Sequence, residues 1–507
     1  MLSATSPGEA VVDGGGVVQG TVLSDNNATV ADTAKSVKWS TSYLDPSIFE
    51  HNNSAATRLK VKADGDYFFA LTAPLLEKSN YGDGRSQVEF LIHKNGSVIA
   101  DAVGRSTYVR HASSHTESSG HLNILVPNLS ANDYVEVFAK AIDNHANTVE
   151  LGTVSLYAEK IATSRTIFSG TTIRNVAGTN LNVGTASPLQ WDHDISDSGF
   201  THSDSSNSEQ ITLDGSGKYL VFINLPLQST VQRASPELII KVAGSQVVGG
   251  FASQGYLRNQ NAINKSSVHW VGLVSTSSTD QVLTIEVGQK GNSGGATVPS
   301  GEKGTIFIEK LADANDLFSA TATQVISGDN WNVNSNNDVK WATQETIDSN
   351  KFTHSTTSNP NKVTVDADGD YLAIYSDGFQ SAAARSNPKT TLKVNGVSQP
   401  GGEVSSHFIR ASGSHSYSSG SLVHLLPGLK ANDEVTISMS VESAWGAVND
   451  HVPARLVLIK KPSLPSPVFT IAQPSATSPI SASVTFKSDD TNVSVTGFTS
   501  SDISLND

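Results

Sequence analysis

The chain has 507 residues, with 34 Lys and Arg against 48 Asp and Glu, a net charge of −14, only 16% charged residues and no cysteine. Basic charge this thin and unclustered excludes a nucleic-acid partner, and the missing cysteine excludes disulfide frameworks, zinc-thiolate sites, iron-sulfur clusters and thiol nucleophiles. No run of about 18 apolar residues occurs, so no membrane insertion by a helix is expected, and Met1 to Gly20 lack the basic start and apolar run of a secretory leader.

In chain order, one set of landmarks returns three times. Trp39, Trp191 and Trp341 each close a polar stretch, and a Phe-x-His step follows at Phe49/His51, Phe200/His202 and Phe352/His354. A glycine turn then opens an aromatic strand at Gly65-Asp66-Tyr67, Gly217-Lys218-Tyr219 and Gly369-Asp370-Tyr371, the tyrosines standing 152 residues apart (219 − 67 and 371 − 219). A short apolar strand ending in a glycine turn comes next, at Arg85 to Gly96, Arg233 to Gly244 and Arg385 to Gly396. The following strand carries an aromatic-aliphatic-arginine triplet ending at Arg110, Arg258 and Arg410, and each arginine precedes a Ser-rich loop. An alternating strand follows a turn at Asn132-Asp133, Thr279-Asp280 and Asn432-Asp433, and a closing strand ends at Lys160, Lys310 and Lys460.

A period near 150 residues far exceeds that of solenoids, so each copy is expected to be a domain with its own core. Residues 1–161, 162–311 and 312–461 are the three copies. Within them apolar residues alternate with period two, as in Glu434 to Met439, and Gly, Asn, Asp and Ser clusters separate the segments. That pattern predicts all-β antiparallel sandwiches. After the spaced prolines Pro462, Pro465 and Pro467, residues 462–507 read as a linker and a strand-forming tail.

The order of Gly-x-Tyr, an Asn-Gly turn and Leu-x-x-Asn-Asp-x-Val resembles the globular head of complement C-one-q, within the tumour-necrosis-factor-like jelly rolls. Gly369-Asp370-Tyr371, Val394-Asn395-Gly396 and Leu429 to Val435 carry the resemblance in the third copy, and the first matches nearly as well. The second departs most, with Val274 to Asp280 in place of the Leu-x-x-Asn-Asp step. The tail, through Thr496 to Ile503, resembles part of a bacterial immunoglobulin-like repeat. The resemblance implies jelly rolls that associate as trimers. Three copies on short links would then form an intramolecular pseudo-trimer, with beads on a string as the alternative.

Three sets of residues recur at positions where chemistry can reside, and a fourth is complete only in the third copy. Trp39, Trp191 and Trp341 read as core or interface packing, the alternative being an exposed platform that stacks on sugars. Arg110, Arg258 and Arg410 read as contacts between copies or as sites for an acidic ligand. His51, His202 and His354 close loops, unless a threefold axis brings them together as a metal or pH-sensitive site. Asp366, Asp368 and Asp370 have the spacing with which calcium loops begin, making Ca2+ the one cofactor to test, against a plain hairpin turn. Gly291 to Gly295 superficially fits a serine-nucleophile elbow, but it stands between two β segments in one copy.

No catalytic constellation emerges. The expectation is a non-enzymatic binding or adhesion region of a large exported bacterial surface protein, secreted or at the cell surface, taking a glycan or a cell-surface protein. The alternatives are an ancillary carbohydrate-binding region of a polysaccharide-degrading enzyme and a ligand-free structural stalk.

Overall fold

The computed structural model describes residues 2–6, 34–45, 47–77, 85–107, 109–110, 116–142, 149–173, 180–229, 233–254, 257, 263–277, 280–289, 295–311, 316–322, 331, 337–382, 386–410, 415–443, 446–461, 468–471, 484–488 and 491–492. Apart from one 3-10 turn at Asn53–Ala55, regular structure among them is antiparallel strand.

The period-two pattern becomes two facing sheets in each copy. In the first copy one sheet runs Glu117–Leu129, Gly65–Glu77, Val154–Lys160, Leu2–Ser6, Ser40–Leu44, and the other runs Phe49–His51, Arg58–Val61, Tyr134–Ala141, Val88–Lys94, Ser97–Arg105. The same path recurs with Gly217–Ser229 and Gly369–Gln380 taking the place of Gly65–Glu77. Each copy is therefore a jelly-roll-like sandwich of two sheets. The tail beyond Lys461 is a separate unit, with a three-stranded sheet of Val468–Ile471, Val484–Ser488 and Thr491–Asn492. The proline-spaced linker and the Thr496 to Ile503 motif lie outside the described residues.

The Gly-x-Tyr strands explain how the copies associate. Side chains alternate across a strand, so a run that is apolar without a break must bury both faces. In Tyr67-Phe68-Phe69-Ala70-Leu71, Tyr67, Phe69 and Leu71 enter the core of the first copy. Phe68 and Ala70 point the opposite way, into a fourth apolar cluster. The second copy divides Tyr219, Val221 and Ile223 from Leu220 and Phe222 in the same manner, and the third divides Tyr371 and Ala373 from Leu372 and Ile374. The closing strands add Tyr157, Phe307 and Val457 to the fourth cluster, which thus draws on all three copies.

Hydrogen bonds close the same arrangement into a ring. Ser119, Ser267 and Ser419 occupy one repeat position, as do Arg105, Ser253 and Ser405. The Ser119 hydroxyl of the first copy accepts from Ser405 N of the third at 3.0 Å. The Ser267 hydroxyl of the second accepts from Arg105 N of the first at 3.1 Å, and that of Ser419 in the third accepts from Ser253 N of the second at 3.0 Å. A head-to-tail contact repeated three times around a closing rotation yields a ring, here within one chain. The link between the first two copies is stapled by Arg165, whose guanidinium reaches Glu159 at 2.6 Å and Glu309 at 3.4 Å.

The Asn-Gly signals become hairpin turns with left-handed backbone at both central residues, Asn95 (φ 52) with Gly96 (φ 82) and Asn395 (φ 51) with Gly396 (φ 77). Asn95 Nδ2 donates to Asp133 at 2.7 Å, and its Oδ1 accepts from Tyr134 N at 2.9 Å. In the second copy Ala243 holds φ 49 with a side chain that can do neither. Ala243→Asn is expected to raise stability by about 0.5–1 kcal/mol, because asparagine tolerates this region better than alanine. Chemical denaturation of the two proteins measures it; an unchanged or lower stability would contradict the strain.

Candidate functional site

The first correction is to the sugar-platform alternative for the tryptophans, whose burial fits the packing reading. Trp39 is 3% exposed, Trp191 and Trp341 are 0% exposed, and each belongs to the core of its own copy. A ring with no free face cannot stack on a sugar.

The aspartates are the second. Asp366 accepts from the Thr353 hydroxyl at 2.7 Å, Asp368 from Ala431 N at 2.9 Å and Lys430 Nζ at 3.0 Å, and Asp370 from Gly428 N at 2.8 Å. Each carboxylate thus ties down a different neighbour, Asp370 the end of the Tyr417–Leu429 strand and Asp368 the turn that follows it. Asp64 and Asp66 do the same in the first copy, accepting from Ala131 N at 2.7 Å and Asn128 N at 2.8 Å. The three are hairpin fasteners, and they do not gather as a calcium site.

The histidines of the Phe-x-His step stay in their own copies. His51 Nε2 lies 3.2 Å from Ala56 O and His354 Nε2 lies 3.2 Å from Pro360 O, while His202 Nδ1 lies 2.8 Å from Gln210 O. Imidazoles that do meet across copies include His121, His269 and His407: His121 stacks on His269 with centroids 4.9 Å apart and stands edge-on to His407 at 6.5 Å. The side chains of Arg110 and Arg258, and the glycine-rich loop at 291–294, lie outside the described residues. Arg410 is half-buried, and its N–H donates to His415 O at 2.7 Å. Burial, with Arg233 and Arg410 nearby, brings the His415 imidazole down to about 4.

A different place has the makings of a site: a cleft of about 200 Å3 walled by the first and second copies. Its charged groups are Asp101 from the first copy and Asp194 and Lys303 from the second. In every copy the Ser97–Arg105 strand or its equivalent bulges, because pairing with its neighbour slips between Leu91 and His93, Ile239 and Lys241, and Thr391 and Lys393. One residue of each bulge is left-handed: Asp101 (φ 63), Gly249 (φ 69) and Gly401 (φ 77). Glycine adopts that backbone freely, whereas an aspartate there is strained. The first copy therefore holds a carboxylate at a backbone position that its sister copies give to glycine.

Burial raises the Asp101 carboxyl above its ordinary value against the opposing charge of Lys303, whose main chain also hydrogen-bonds to it. Asp194 is raised by burial, with Asp101 adding to the rise and Lys303 opposing it. The Lys303 ammonium donates to the Thr171 hydroxyl at 3.2 Å. Two partly desolvated acceptors and one donor converging in a cleft form the polar framework of a small-ligand site. Neither acid follows a motif. The signal in the sequence is the departure from the repeat, aspartate where Gly249 and Gly401 stand.

No family model matches the chain, and no curated protein matches it. Among solved structures, PNGF-II is similar with a TM-score of 0.23 and 9% identity over 74% of this chain and 98% of that one. A structure of Sulfolobus Turreted Icosahedral Virus has a TM-score of 0.15 and 9% identity over 85% of this chain and 91% of that one. The insecticidal delta-endotoxin Cry8Ea1 from Bacillus thuringiensis has a TM-score of 0.15 and 7% identity over 80% of this chain and 55% of its own. Likenesses this distant carry no argument about function, and the fold rests on the sheets themselves.

Proposed function

We propose that the chain is the non-enzymatic binding region of an exported bacterial surface protein, a head of three jelly rolls that takes a glycan in the cleft between the first and second copies. The observation that supports this reading is the convergence of Asp101, Asp194 and Lys303 on one cleft. Carboxylates accept hydrogen bonds from sugar hydroxyls, an ammonium donates to ring or hydroxyl oxygens, and partial desolvation strengthens both. The strain at Asp101 fits the same reading, since a residue that opposes its local backbone preference is expected where binding needs it. The resemblance to tumour-necrosis-factor-like heads adds the expectation of a cell-surface setting.

Screening the protein and its Asp101→Gly variant on a glycan array tests the proposal. Glycine is the residue of the sister copies. Relief of strain of about 1 kcal/mol is largely offset by glycine's greater freedom in the unfolded chain, so stability should stay within about 1 kcal/mol of the parent. Binding should fall about tenfold or more as a charged acceptor is lost, equivalent to about 1.4 kcal/mol. Binding that survives both Asp101→Gly and Asp194→Asn would remove the cleft from the reading. An array without any bound sugar would remove the glycan.

A further inference from the structure

The second copy carries a cluster that the other two lack. His193 lies on the Trp191–Ser196 strand, His202 follows the Phe200–Thr201 strand, and Asp204 stands two residues further on. One ligand atom from each lies within 4.8 Å of the others, and no other such group of three occurs among the described residues. His193 Nδ1 is 2.8 Å from Asp204 Oδ1, and His202 Nε2 is 3.3 Å from the same oxygen. The rings stand nearly perpendicular, at 79° with centroids 5.9 Å apart.

The surroundings of His202 distinguish this cluster from an ordinary surface contact. Its Nδ1 faces Gln210 O at 2.8 Å, while Nε2 faces Trp191 O at 3.1 Å as well as Asp204. Both ring nitrogens therefore look at oxygen acceptors, and a neutral imidazole has one N–H to offer them. If Nδ1–H donates to Gln210, the Nε2 lone pair points at oxygens unless a cation lies between. A carbonyl that accepts from the far nitrogen is also the usual device for orienting a metal-bound histidine. Phe168 backs the ring edge-on at 5.3 Å, and the His202 side chain is fully buried whereas those of His193 and Asp204 are 39% and 41% exposed. One ligand is thus rigid and two open toward solvent.

We propose that His193, His202 and Asp204 form a site for a divalent metal of the zinc class, with the remaining coordination position open to water or an external donor. Two imidazole nitrogens and one carboxylate suit zinc rather than the harder calcium ion. Ligands of a tetrahedral ion with bonds of about 2.0–2.1 Å stand about 3.3 Å apart, so the observed spacings need only small side-chain adjustments. The third copy has Gln344, which pairs with Ala320 as His193 pairs with Gly170, and Thr356 at the position of Asp204, and it folds around His354 all the same. The two extra ligands are thus dispensable for the fold.

The test is calorimetric titration of zinc chloride into the full chain, stripped with chelator and free of any histidine tag, alongside the His193→Gln/Asp204→Thr double variant, which borrows both residues from the third copy. The parent should take up one zinc, and its cobalt form should show the visible absorption of a tetrahedral ion. The double variant should keep the melting temperature of the stripped parent and lose the site, with affinity falling at least a hundredfold. No uptake by the parent overturns the proposal. Equal uptake by parent and variant overturns it as well, placing the metal elsewhere.

Discussion

Phe68→Ala is expected to destabilise the head by about 3–5 kcal/mol and to loosen the copies from one another while leaving the first copy folded. Phe68 is 2% exposed, stacks on Phe307 at 4.5 Å and lies 4.7 Å from Phe222, so both of its ring partners belong to the second copy. Truncation removes the transfer free energy of the ring and leaves a cavity between sheets that are already built. Phe69→Ala is the matched comparison. Its residue is also buried but belongs to the core of the first copy, so its loss should melt that copy. Calorimetry combined with small-angle scattering separates the two. Phe68→Ala should enlarge the maximum dimension below the melting transition, and Phe69→Ala should add an early unfolding step. A Phe68→Ala protein of unchanged melting behaviour and size would mean that the shared cluster does not hold the ring together.

Acid should open the ring. His121, His269, His407 and His424 are buried where copies meet. His269 contacts Asn123 of the first copy and lies 2.7 Å from the Ser421 hydroxyl of the third, and His424 lies 3.1 Å from the Ser155 hydroxyl of the first. Burial is the main reason that His269 is brought down to about 3, with the charge of His407 adding to it, and burial brings His407 and His424 down to about 4. His121 is lowered by burial and then by its neighbours His269 and His407.

A folded-state value below the unfolded one means that stability is fully present above about pH 6.5 and drains as pH falls, because the unfolded chain takes up protons that the folded one refuses. Four such groups should remove several kcal/mol between about pH 6.5 and 4. Raised carboxyls work the other way, Asp101 and Asp194 among them and Asp377 above all. Burial, then the charge of Asp450, raises Asp377 well above its ordinary value, so the folded protein takes up that proton first and gains stability on acidification. Carboxylates held low, such as Asp133 at about 2, act below this window. Denaturation at stepped pH should show the fall. His407→Thr, which borrows the residue at Thr107 of the first copy, should make the fall shallower. A flat profile from about pH 6.5 to 4 would show that these imidazoles are solvated.

What could be read without coordinates follows from local rules. Asn95-Gly96 and Asn395-Gly396 name their turns because few residues tolerate left-handed backbone. The Tyr67 and Tyr371 segments announce strands buried on both faces because they do not alternate. The aspartates after the Val363–Val365 strand mislead through spacing alone: Asp366, Asp368 and Asp370 resemble a calcium loop until their partners Thr353, Ala431 and Gly428 are seen. His202 is visible as one of three repeated histidines, but its difference from His51 and His354 lies in the neighbours His193 and Asp204, which only a copy-by-copy comparison singles out.

Amino-acid order alone determined the strand alternation and the turns, which depend on residues within a few positions of one another, and the threefold repeat, which a comparison of the chain with itself displays. It also required that the Gly-x-Tyr strands bury a second face. Which surface would cover that face was decided by the tertiary structure. Phe68 meets Phe307, and Asp101 meets Lys303, from different copies far apart in the chain, and no local preference specifies such a meeting. It follows from three sandwiches closing as a ring, where burying the leftover apolar faces together removes more surface from water than any copy could remove by itself.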